Sequence, residues 1–271
     1  MCLWYNEDNE SEGRELVAVT IAVTNQKGGV GKTTTAVNVA YFLAKAGKRT
    51  LLIDFDPQGN ATSGLGIDKQ LVPTTVSEVV MQQAELKDAI QATEYKSLSL
   101  VVSTPHLANT EVELAKVEGR FVRLKQAIES VDKDFDYIII DSPPSLSLLT
   151  VNGLIASDFV LLPVQAEFYA LEGLGQLLET MKLVRKGLNS NLELLGVLPT
   201  MMDSRTTLSG QVYEEIKKHF PDKVFQTTIP RNIRLAEAPS HGLPIGVYDR
   251  FSKGSRDYKA LAKEIIERAS A

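Results

Sequence analysis

The chain has 271 residues, of which 44% are hydrophobic and 23% charged, long enough for one large α/β domain around a substantial core. A formal net charge of −5 argues against a globally basic nucleic-acid coat. The single cysteine, Cys2, excludes an internal disulfide or a thiolate-held cluster within one subunit, which fits a reducing cytoplasm. The charge is uneven: residues 200–271 carry 12 Lys/Arg against 9 Asp/Glu, a net of +3 that leaves −8 for residues 1–199, so any nucleic-acid contact would be a local patch on the C-terminal part.

Met1–Glu15 is acidic and polar after Leu3-Trp4-Tyr5, with neither a basic n-region nor an apolar h-region. It reads as a mobile N-terminal tail rather than a signal peptide, leaving residues 16–271 as the folded domain. No stretch approaches the ~18 uncharged apolar residues of a membrane span. Leu16–Thr24 is a β-branched apolar run of the kind that forms a strand buried on both faces.

Residues 25–35 follow it as Asn-Gln-Lys-Gly-Gly-Val-Gly-Lys-Thr-Thr-Thr. The phosphate-loop frame G-x-x-x-x-G-K-[ST] would begin at Gln26, where its first glycine is missing, and Lys27 follows as a second lysine. The rest is intact. Gly28, Gly29, Val30 and Gly31 let backbone N–H groups curl around an anion, Lys32 can reach terminal phosphates, and the Thr33 hydroxyl, followed by Thr34, can ligate Mg²⁺. Ala36, Val37, Ala40, Phe42, Leu43 and Ala44 then recur at helical spacing up to Gly47, so the loop feeds a helix N-terminus, which favours phosphate. A nucleoside triphosphate site follows.

Later strands are expected at Thr50–Asp54, Leu98–Ser103, Tyr137–Asp141, Phe159–Val164, Leu192–Leu198 and Val224–Ile229. Helical patterns lie between most of them, among them Arg120–Val131, Gly173–Lys186, Gly210–His219 and Asp257–Ala269. Continuous apolar strands alternating with helices imply a mostly parallel sheet flanked by helices on both faces, with ligands at the carboxyl ends of its strands. Asp54 and Asp56 stand i and i+2 at one such end and point the same way from an extended chain. Asp141 closes another after four apolar residues, a position that Mg²⁺ would explain, and Pro143-Pro144 stiffens the turn beyond it. His106, His219 and His241 are too scattered for a metal site.

The loop at residues 27–34, with its additional lysine, resembles the signature of the SIMIBI-class ATPases and of their ParA, Soj and MinD group. Asp54–Asn60 is similar to the Walker A′ segment of that group, and Asp141–Pro144 to its Walker B aspartate and switch. The stretch Ile229–Gly242 resembles a phrase of the chromosomal ParA/Soj branch. The resemblance implies a single-domain P-loop ATPase over residues 16–271 that uses ATP and Mg²⁺ and forms a homodimer sandwiching ATP. It implies that Lys27 reaches the partner's nucleotide, that Asp56 positions the attacking water, and that Thr33, Asp54 and Asp141 hold Mg²⁺, partly through water. It also implies that Pro230 and Arg231 lie beside the adenine and that Arg205 and Arg234 bind double-stranded DNA without reading sequence. A ParB-type centromere-binding partner would stimulate slow hydrolysis in a cytoplasmic, nucleoid-associated protein that segregates chromosome origins or plasmids.

Three neighbouring readings differ. Nitrogenase iron protein has a similar loop but needs cysteines inside the fold. A MinD-like, membrane-associated division regulator needs an amphipathic C-terminal anchor, whereas Asp257–Ala271 balances acidic against basic residues and reads as a packed closing helix. An ATPase positioning a cargo other than DNA uses the same machinery.

Overall fold

A computed structural model describes residues 17–167, 174–203 and 205–270. The expected N-terminal tail lies outside these residues, as does Cys2. The chain starts with β1 (Val19–Val23), α1 (Lys32–Lys45), β2 (Thr50–Asp54) and α2 (Asn60–Gly64). Next come α3 (Val76–Val80), α4 (Leu86–Ala89), β3 (Ile90–Ala92), β4 (Leu98–Val101), α5 (His106–Leu114) and α6 (Arg123–Ile128). It continues with β5 (Tyr137–Asp141), α7 (Leu148–Ala156), β6 (Phe159–Gln165), α8 (Leu174–Gly187), β7 (Glu193–Thr200) and α9 (Thr207–His219). It closes with α10 (Ile233–Glu237), a 3-10 turn (Ala238–His241), α11 (Ile245–Tyr248) and α12 (Lys253–Ala269).

Seven strands form one sheet in the order β3-β4-β2-β5-β1-β6-β7, parallel throughout except for β3, which pairs antiparallel with β4. Every residue of β2 and β5 is buried, because helices cover both faces and leave no side for polar alternation. From β1 the chain runs to β2 and β4 on one side and to β6 and β7 on the other. A crevice is left at the carboxyl end of β1, where open α/β sheets take their ligands.

On one face α1 and α12 pack Phe42, Leu43, Tyr258, Leu261 and Ile265 against the sheet. The Tyr258 and Thr35 hydroxyls meet at 3.1 Å and lock the closing helix to the phosphate-loop helix. The apolar side of α12 is thus spent on the core. Opposite, α3, α5 and α6 cover Leu51, Ile53, Ile138 and Ile140.

Two local expectations change. Val224–Ile229 forms no continuous strand: it meets β7 and the residues just past it at the isolated bridges Val197–Val224 and Met202–Pro230, with Phe225 N–H donating to the Val197 carbonyl and Ile229 N–H to the Pro199 carbonyl, both at 2.9 Å. Side chains of α12 take other backbone groups of the segment. Arg268 Nη2 donates to the Val224 carbonyl at 2.7 Å, and the Glu264 carboxylate accepts from the Gln226 and Thr227 N–H groups at 2.8 and 3.0 Å. The edge strand β3 was not anticipated, since three residues are too few to display a period.

Candidate nucleotide site

The phosphate loop is built by backbone geometry. Gly29 and Gly31 adopt φ of +76° and +88°, the left-handed region that side chains disfavour, and Gly31 caps α1 without any side-chain hydrogen bond. The first N–H groups of α1 therefore point into the loop with the positive end of the helix dipole behind them, an anion cradle formed by residues 28–34. Strand β6 braces it: Thr24 N–H donates to the Leu161 carbonyl at 3.2 Å, and Asn25 Nδ2 to the Pro163 carbonyl at 2.7 Å.

The two lysines separate. Lys32 is 7% exposed, its Nζ donates to the Lys27 carbonyl at 3.1 Å, and burial lowers its pKa against the opposing pull of Asp141 and Asp56. The Lys27 ammonium instead lies outside the cradle, in an ion pair with Glu167.

Three carboxylates gather beside Lys32. Asp54 and Asp141 are register partners at the ends of β2 and β5, and Asp141 also pairs with Val23 at the end of β1. Asp54 is saturated: its Oδ2 accepts from Thr62 N–H at 2.8 Å and Thr62 Oγ1 at 2.7 Å, and its Oδ1 from Asp56 N–H at 3.3 Å. Burial nevertheless raises its pKa to about 6. Asp141 is fully buried with no hydrogen bond to either carboxylate oxygen, and burial, then the nearby Asp54, push its pKa well above the usual carboxylate range. The Thr33 hydroxyl acts on it in the opposite sense, at a geometry short of a formed hydrogen bond. Asp56 is 6% exposed and accepts from Gln58 N–H at 2.9 Å.

An orphaned, buried Asp141 carboxylate beside a threonine hydroxyl suits a hard divalent cation with oxygen ligands. Among the described residues no three His, Cys, Asp or Glu side chains converge as a metal cage. The fit is therefore to a hydrated Mg²⁺ shared with phosphate, with Asp141 and Thr33 as its nearest groups. Asp54, tied to Thr62, is better placed to hold α2 in position than to face the ion.

A cavity of about 280 Å³ opens on the other side of Gly31 and Thr34, lined by Met201, Pro230, Arg231, Asn232 and Leu235. It brings the expected Pro230 and Arg231 beside the loop. Arg205 and Arg234 are on the surface and paired. Arg205 forks onto Asp203 at 2.9 and 2.7 Å and draws that carboxyl down to about 2, while Arg234 meets Glu237 at 2.9 Å and Asp249 at 3.7 Å.

A family profile described as an AAA domain matches residues 18–194. The sporulation initiation inhibitor protein Soj of Bacillus subtilis is 58% identical over 90% of this chain and 97% of its own length. The chromosome partitioning protein ParA of Myxococcus xanthus is 49% identical over 94% and 90%. The chain belongs to the ParA/Soj family. Its fold also matches cobyrinic acid a,c-diamide synthase from Mycobacterium smegmatis, solved with a bound ATP analog and magnesium, with a TM-score of 0.83, 38% identity and coverage of 94% and 97%.

Several residues that shape this ParA/Soj-family site escaped sequence reading. Thr62 holds Asp54, and Ser103 joins both aspartate segments by donating its N–H to Thr62 Oγ1 at 3.2 Å and its hydroxyl to the Asp56 carbonyl at 2.8 Å. Asn25 pins the loop to β6, Thr200 pins it to β7, and Glu167 takes the Lys27 ammonium. Only Asn25 carried a signal, its place at the strand-to-loop junction.

Proposed function

We propose that this partitioning ATPase, with ATP and Mg²⁺ as its ligands, works as an ATP-sandwich homodimer on nucleoid DNA in the cytoplasm. A ParB-type partner stimulates its hydrolysis, and chromosome origins or plasmids are the cargo. The observation that carries the reading is the division of labour between the lysines: Lys32 is buried in its own cradle, whereas Lys27 is 40% exposed and held only by an exposed ion pair with Glu167, which a facing subunit can displace.

In each subunit the N–H groups of residues 28–34 and Lys32 bind and orient the triphosphate. Thr33 and Asp141 would hold Mg²⁺, which when bound would supply positive charge against the phosphate oxygens. Asp56 orients the attacking water in line, and Lys27 of the facing subunit stabilises charge on the transferred phosphoryl group. The cavity at Pro230 and Arg231 accepts the base. Turnover is slow until a partner stimulates it, which suits a timer.

Arg205 and Arg234 contact DNA phosphates, and an ATP-dependent dimer doubles those contacts, which would make DNA binding depend on ATP. Their exposed ion pairs are weak enough to exchange for phosphate. Burial of the apolar face of α12 supports this reading over a MinD-like membrane anchor.

The test is a DNA-binding titration with ATP and with ADP at several salt concentrations, beside sedimentation with anionic liposomes. Binding should need ATP, ignore sequence and weaken as salt rises, with a log–log slope of about −0.9 per phosphate neutralised. Binding to liposomes but not to DNA overturns the proposal.

A further inference from the structure

Strand β6 holds Lys27 twice. Lys27 N–H donates to Asn25 Oδ1 at 3.0 Å, and Asn25 Nδ2 donates in turn to the Pro163 carbonyl within the strand at 2.7 Å. Two residues past the end of β6, Glu167 forms the ion pair with the Lys27 ammonium. The main chain of Lys27 is fixed on both sides, since its carbonyl also accepts from Lys32 at 3.1 Å. The paired side chains are 40% and 37% exposed, so the lysine stem can swing away without disturbing the cradle.

We propose that Glu167 is a positioning residue for Lys27, retaining its ammonium in the free subunit so that dimerisation has to open the ion pair, a small cost that the facing nucleotide must offset. This rests on the reading that Lys27 acts on the partner's nucleotide. Lys27 cannot serve both groups at once, so the sandwich forms only when the ion pair opens. An exposed pair is weak, on the order of a few-fold in an equilibrium constant, and a facing triphosphate, with several charges against one, outcompetes it. A diphosphate gains less, and a subunit without nucleotide offers the ammonium nothing in exchange. The ion pair thereby helps to keep the ADP-bound and nucleotide-free forms monomeric.

The test measures the dimerisation constant by sedimentation equilibrium with Mg²⁺ and a non-hydrolysable ATP analogue, and again with ADP. Two pairs open per dimer, so Glu167→Gln should tighten dimerisation about five-fold at low salt, by the same factor with either nucleotide, because the same pairs open in both cases. The gain should shrink as salt screens the pair, and Glu167→Asp, which keeps the charge, should stay near wild type. Neither response is expected of a residue that matters only for packing. Unchanged or weaker dimerisation of Glu167→Gln overturns the inference if Lys27→Ala abolishes the dimer. A dimer of wild-type strength in Lys27→Ala instead overturns the reading of Lys27 on which the inference rests.

Discussion

The hydroxyl of Thr200, the last residue of β7, donates to the carbonyl of Val30 inside the phosphate loop at 2.8 Å. Both residues are buried, so the loop is held from a strand 170 positions away along the chain. Thr200 and the next residue, Met201, both line the cavity beside Gly31 and Thr34, so one short segment touches the phosphate loop and the cavity next to it.

Thr200→Val keeps the shape and strands the Val30 carbonyl. An unsatisfied buried acceptor costs about 1–3 kcal/mol, so the thermal midpoint should fall by several degrees and affinity for Mg²⁺-ATP should weaken several-fold. Thr200→Ser should restore both. Calorimetric melting and titration decide, and a valine variant with wild-type affinity would show that the brace does not shape the loop.

The carboxylate cluster sets a pH dependence whose sign is fixed. Asp54 titrates near 6, Asp141 is also raised, and a free aspartate titrates at roughly 4. Between those values the folded state binds more protons than the unfolded one, so this contribution to stability falls as pH rises through the window. Without nucleotide and with chelator present, the melting temperature of the wild type should drop more steeply from about pH 5 to about pH 8 than that of Asp141→Asn. Mg²⁺-nucleotide should remove most of the difference. Parallel pH profiles for the two proteins in chelator would refute the assignment.

Asp56→Ala separates binding from chemistry. The phosphate cradle and the Asp141 carboxylate are untouched, so ATP binding and ATP-dependent dimerisation should persist while turnover falls at least 100-fold, on the order of what a positioned catalytic carboxylate supplies. Phosphate release is the measurement. Wild-type turnover in this variant would take Asp56 out of the chemistry.

On the proposed reading, Arg234→Glu replaces an attraction for phosphate by a repulsion at two symmetric places in the dimer, and it also sets a third carboxylate beside Glu237 and Asp249. DNA binding should be lost with dimerisation retained, and Arg234→Ala should show an intermediate loss. DNA retention measured together with sedimentation separates the two effects. Retained DNA binding in the glutamate variant would move the contact surface elsewhere.

Much of the site could be read from contiguous residues because its chemistry is local. Gly29 and Gly31 provide the left-handed turn, Lys32 and Thr33 follow at fixed offsets, and a two-residue alternation aims Asp54 and Asp56 to one side. The runs that became β2 and β5 were recognisable for the same reason, since burial on both faces demands unbroken apolar sequence. Tertiary structure alone decided which distant groups complete the site. Thr62 and Ser103 secure the aspartates, Thr200 the loop, and Glu167 the Lys27 ammonium. Their residue types are ordinary, and their roles exist only once strands far apart in the chain lie side by side. The segment 224–229 is the converse case: its apolar residues suit a strand, but it pairs with β7 only locally, and Glu264 and Arg268 of α12 take its backbone groups at Val224, Gln226 and Thr227, a competition no local pattern records.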